Sequence, residues 1–241
     1  KIIAHNVYNE LGQLSSKTLA PAYNGNTGLE TLAFDYNMRG WLLGVNRDYI
    51  KEVGSKWFGF EIAYENSNNI ISGQSYANPQ LNGNIAGTTW RSRGDSAKRK
   101  FDYYYDNANR LVSADFNQYT ANSFNKTAGL DFSVSNMKYD ANGNILSMKQ
   151  MGWKLTGSAA IDQLNYTYPA NSNRLQQVYD TANNSSSKLG DFKYDGYSKT
   201  ASDYSYDTLG NLTEDKNKLI SSIAYNYLNL PELVRYNPAA A

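Results

Sequence analysis

Polar and apolar residues alternate in short runs along this chain, as in Phe192-Lys193-Tyr194, Tyr204-Ser205-Tyr206 and Leu212-Thr213-Glu214. A period of two puts successive side chains on opposite faces of a strand. Asn, Asp and Gly, which suit tight turns, punctuate the runs. Helical spacing is scarce. Asp48 to Val53 predicts a turn or two before Gly54, with no long apolar stripe. The pattern predicts an all-β protein of hairpins laid side by side in one curling sheet.

A seven-residue pattern recurs where the runs break: an aromatic, Asp or Asn, two variable residues, Gly or Asn, a variable residue, then an apolar one. It reads Tyr8-Asn9-Glu10-Leu11-Gly12-Gln13-Leu14, Tyr36-Asn37-Met38-Arg39-Gly40-Trp41-Leu42 and Tyr105-Asp106-Asn107-Ala108-Asn109-Arg110-Leu111. It returns as Tyr139-Asp140-Ala141-Asn142-Gly143-Asn144-Ile145, Tyr206-Asp207-Thr208-Leu209-Gly210-Asn211-Leu212 and Tyr225-Asn226-Tyr227-Leu228-Asn229-Leu230-Pro231. A degraded copy runs from Tyr168 to Leu175. The closest starts, Tyr206 and Tyr225, lie 19 residues apart, so the unit is near 19 residues with frequent insertions. Gly or Asn at position five predicts a positive φ, which other residues enter at a cost. Asp or Asn at position two can bond backbone amides two residues on and hold the turn. Each copy is therefore a strand–turn–strand unit, and these turn residues are the nearest thing to functional positions. The stretches 66–84, 92–100 and 183–188 read as loop insertions in a single repeat region covering 1–241.

Composition narrows the field. Tyr contributes 21 residues and Asn 30 of 241, a bias that fits strands joined by turns. The net charge of +1 gives no global field favouring nucleic acid or an anionic membrane. The absence of cysteine excludes disulfides, thiolate metal sites and cysteine nucleophiles. No apolar run is long enough for a membrane-spanning helix. The ends, Lys1-Ile2-Ile3 and Pro238-Ala239-Ala240-Ala241, predict a fragment of a longer chain.

Candidate chemistry is thin, and the chain reads as non-enzymatic, with no cofactor or metal. His5 is the single histidine and reads as an ordinary surface or edge-strand residue. Asp140, Asn142 and Asn144 imitate the start of a calcium loop, but Gly143 is at position four and Met151 stands where the loop needs Glu, so a turn is expected. The basic run Arg91, Arg93, Lys98, Arg99, Lys100 is interrupted by Asp95 and reads as a solvated loop. Tyr and Trp rows can stack on sugars, though cross-strand packing is their commoner use.

The Tyr-Asp-x-x-Gly-Asn-Leu signature, fullest from Tyr204 to Thr213 and continuing through Ile223 to Val234, resembles the YD repeat of the rearrangement hot spot (RHS) family, which includes teneurin-type proteins. The resemblance covers nearly the whole chain. It implies a β-sheet spiralling into a cocoon-like shell around a passenger, often a C-terminal toxin. It implies an exported bacterial protein, secreted or at the cell surface, for which a type IX-like secretion machine is a plausible partner. No Asp-Pro motif of the family's self-cleaving core occurs here, so autoproteolysis and toxicity do not carry over. A surface adhesin or carbohydrate-binding module with a glycan ligand is the alternative.

Overall fold

The computed structural model describes residues 2–51, 54–183, 191–194 and 199–237. Within each unit the described strand pairs are antiparallel and join strands consecutive in the chain, so the protein is all-β and built from hairpins. Two short helical pieces complete the described residues: α1 (Arg47–Lys51) and a 3-10 turn at Lys216–Lys218. By packing, the chain divides into two compact units, 1–130 and 131–241.

Unit 1 holds β1 (Ala4–Tyr8), β2 (Leu14–Leu19), β3 (Glu30–Tyr36), β4 (Leu42–Val45), β5 (Phe58–Ala63), β6 (Gly87–Ser92), β7 (Lys98–Tyr105), β8 (Leu111–Thr120) and β9 (Ser123–Asn125). Each of these strands pairs with its sequence neighbours. Unit 2 carries β10 (Val134–Tyr139), β11 (Ile145–Lys154), β12 (Gly157–Thr167) and β13 (Gln177–Asp180) in one meander. A separate four-stranded sheet follows, of β14 (Tyr204–Tyr206), β15 (Leu212–Asp215), β16 (Ile220–Tyr225) and β17 (Pro231–Tyr236).

The hydrophobic core is small. Among the described residues, buried polar and charged side chains are as numerous as buried apolar ones. Strand alternation explains where they sit. In β5, β6 and β7 one face carries Phe60, Trp90 and Phe101, and the other carries Glu61, Thr89, Lys100 and Asp102. It is the polar face that is covered, by α1 and by the connection 66–84. Tyr76 lies so close against Gly87 that a Cβ there would collide with its ring. The insertion predicted at 66–84 is thus a packed cover. The insertion predicted at 92–100 is corrected: β6 runs to Ser92, β7 starts at Lys98, and the residues between make a hairpin turn. Of the segment 183–188, all but Asn183 lies outside the described residues.

Candidate functional site

The predicted turn residues take one geometry in all six copies. Tyr8, Tyr36, Tyr105, Tyr139, Tyr206 and Tyr225 each pair across the hairpin with the residue six positions on, and the register shifts beside each of them. The N–H of position five donates to the carbonyl of position two, at 2.9–3.2 Å, closing a four-residue turn. Position five then has positive φ: 76° at Gly12, 78° at Gly40, 60° at Asn109, 87° at Gly143, 92° at Gly210 and 57° at Asn229. This is the three-residue hairpin loop with a left-handed bulge residue. The side-chain Oδ1 of position two accepts from the amides of positions four and six at Asn9, Asn37, Asp106, Asp140, Asp207 and Asn226. Asp140 is therefore a turn former, as its spacing predicts. Hydrogen bonds from the Asn144 and Asn211 side chains hold the Asp140 and Asp207 carboxyls below the usual range; at Asp106 the Arg110 amide does so.

Two bonds that the sequence reading does not foresee join one hairpin to the next. The first runs from a motif tyrosine to the carbonyl that ends the preceding turn. Tyr36 Oη donates to Leu14 O at 3.1 Å, Tyr64 to Leu42 O at 3.2 Å and Tyr105 to Ile85 O at 2.9 Å. In unit 2, Tyr168 donates to Ile145 O at 3.0 Å, Tyr206 to Leu175 O at 2.9 Å and Tyr225 to Leu212 O at 2.8 Å. Burial pushes the Tyr64, Tyr105, Tyr168 and Tyr206 hydroxyls up, which favours the protonated form that donates these bonds. The second links turn to turn through asparagine amides: Asn84 to Asn109 at 3.4 Å, Asn144 to Asn173 at 2.8 Å and Asn211 to Asn229 at 3.2 Å. The asparagine excess is partly this ladder. It also exposes a further turn, whose end Asn82-Gly83-Asn84-Ile85 repeats Asn142-Gly143-Asn144-Ile145 letter for letter. Residues 66–78 separate it from Tyr64, which hid it from a search for contiguous copies.

The covered face of unit 1 is a network of paired charges. Glu61, 3% exposed, meets Arg47 at 3.3 Å and accepts the Ile70 amide at 3.2 Å. Burial still raises its carboxyl above the usual range, against the pull of Arg47. Lys100 lies 2.7 Å from Asp102, and Asp102 accepts the Ala77 amide. Arg91 donates to Tyr49 O and covers the Tyr49 ring at 4.7 Å. Here the expected solvated basic loop is corrected: Arg91 and Lys100 are buried strand residues, because the cover holds their partners. An open cleft of about 210 Å³ beside Arg47 and Glu61 is below the usual volume of a small-molecule site. His5 sits exposed on β1.

Unit 2 gathers three acids instead. One carboxylate oxygen each from Asp162, Asp180 and Asp191 lies within 4.8 Å of the others, the one such acidic group among the described residues. Asp162 sits on β12 and Asp180 at the end of β13, diagonal on one sheet face; Asp191 comes from the segment above. Asp162 accepts the Phe192 amide at 2.6 Å, and Asp180 Oδ1 accepts from Gln163 and Ala182. Burial first, then the neighbouring acids, raises the Asp162 carboxyl. Spacing along the chain gave no hint of this cluster, since its members join only through sheet pairing and a long connection. Compared with known proteins, the chain matches no family model, and no curated protein matches its sequence.

Proposed function

We propose that the chain is a non-enzymatic wall segment of an exported RHS/YD-repeat protein, which encloses or presents a passenger, such as a toxin domain, outside the cell or at its surface. The observation that carries this reading is the pair of lateral bonds repeated from hairpin to hairpin. A unit that fixes its neighbour by the same tyrosine and asparagine contacts makes sheet of arbitrary length. Because each bond reaches a backbone carbonyl or a turn, it also resists register slip. The side chains in these contacts are then committed to the wall, with no reacting group required. β17 leaves all six of its residues exposed and presents backbone groups on which a further strand can pair. Protease protection of the whole gene product tests the proposal. The passenger is expected to resist digestion until the repeat region unfolds; equal digestion with and without the repeat region overturns it.

A second reading, a carbohydrate-binding module, draws on exposed aromatics such as Trp153 and Tyr227, 41% and 92% exposed. Glycan-array binding that disappears in Trp153→Ala or Tyr227→Ala would favour it over the wall.

A further inference from the structure

We propose that Asp162, Asp180 and Asp191 bind a hard divalent cation, Ca²⁺, which fastens the segment carrying Asp191 to β12 and β13. Three carboxylates from three separate elements approach within 4.8 Å, and no histidine or cysteine contributes. Calcium takes oxygen ligands at about 2.3–2.6 Å, so ligands across its sphere stand up to roughly 5 Å apart. A purely carboxylate donor set selects hard cations over zinc or copper. Magnesium demands a tighter, near-ideal octahedron and dehydrates reluctantly, so a site of three protein carboxylates favours calcium.

The proximity is supported by a separate observation, unpartnered oxygen atoms deep in the site. Asp180 is 1% exposed and its Oδ2 has no hydrogen-bond partner. The Asp191 side chain is fully buried, and neither of its oxygens has a hydrogen-bond partner. A buried carboxylate oxygen left without a hydrogen bond is unfavourable. The described cation at the cluster is Lys193, whose Nζ stands 3.5 Å from Asp191 Oδ2. Among the described residues, three formal negative charges against this one positive charge leave −2, which one divalent ion neutralises. The covered acids of unit 1 follow the opposite pattern, since Glu61 and Asp102 each have a basic side chain of their own.

Calorimetric titration of the metal-stripped full chain with Ca²⁺ at pH 7, with Mg²⁺ in parallel, tests the proposal directly. One calcium site is expected, with weaker magnesium binding. The thermal midpoint should rise by about 5–10 °C at a hundredfold excess of Ca²⁺ over Kd. Asp180→Asn and Asp191→Asn, which keep shape and remove charge, should each weaken binding at least tenfold. Asp140→Asn should leave it intact, separating the cluster from the calcium-like spacing of the turn. No heat of binding, together with an equal midpoint in Ca²⁺ and EDTA, overturns the proposal. So does binding that both cluster variants retain or that Asp140→Asn abolishes. The wild-type arm decides even where a cluster variant fails to fold.

Discussion

In unit 1 the connection 66–84 is held to the sheet by Glu61, which accepts the Ile70 amide, and by Asp102, which accepts the Ala77 amide; in unit 2 Asp162 accepts the Phe192 amide in the same manner. Both units thus use a strand carboxylate, pointing out of the sheet, to catch the backbone of a segment laid over it. They differ in what balances the charge. Glu61 faces Arg47 and Asp102 faces Lys100, whereas Asp162 and Asp180 face each other and Asp191. Buried charge is tolerated only with compensation. Side chains supply it in unit 1, and at the Asp162, Asp180 and Asp191 cluster of unit 2 the acids outnumber the base described beside them. Away from these covers, the turns and their tyrosine bonds are the same in both units.

Substitutions can separate what differs from what is shared. The largest effect is expected from Asp102→Ala, which leaves Lys100 buried without its carboxylate and should cost about 3–5 kcal/mol in urea unfolding. Asp180→Asn, measured in EDTA, should leave stability unchanged or raise it, because it removes repulsion while Oδ1 still accepts two amides. A loss matching that of Asp102→Ala would erase the contrast between the units. The next effect concerns the shared turns. Gly12→Val and Gly143→Val, at φ 76° and 87° with open space around a Cβ, should each cost about 1–2 kcal/mol. Gly143→Asn should be mild, since Asn109 and Asn229 hold that conformation naturally. Indistinguishable urea midpoints for Val and Asn at Gly143 would refute the turn argument.

Smaller again is the loss from Tyr64→Phe in unit 1 or Tyr225→Phe in unit 2. Each deletes one hydroxyl bond to a carbonyl and should cost about 0.5–1.5 kcal/mol, alike in the two units. The smallest effect is pH-dependent. The Asp140 and Asp207 carboxyls sit below their ordinary value of 3.8 in the folded chain. Their contribution is therefore complete above pH 3.8 and fades as pH falls through the lower folded values. The double variant Asp140→Asn/Asp207→Asn should be slightly less stable than the native chain at pH 7 and lose less stability in acid, as read from urea midpoints at both pH values.

The turns were legible because everything that makes them lies within seven residues. An Asp or Asn that can reach the amides two and four positions on, and a Gly or Asn that accepts positive φ, settle the conformation before any other contact forms. The turn ending at Asn82-Gly83-Asn84-Ile85 escaped for a reason of the same kind: with 66–78 inserted after Tyr64, its halves no longer fall in one window. The basic run at Arg91–Lys100 was misread because charge in sequence looks solvated until a cover brings partners to it. Lys100 is buried by Tyr76, Asp102 and Phe124, which no local rule connects.

The sequence by itself therefore determined the β class, the hairpin unit and the φ of its fifth position, since those follow from short-range sterics and side-chain-to-backbone bonds. Only the tertiary structure decided which carbonyl each tyrosine finds, which face of β5–β7 is covered, and that Asp162, Asp180 and Asp191 meet. Those outcomes depend on strand register and on where a long connection lands. Both are set by pairing between residues that are neighbours only after the sheet has formed.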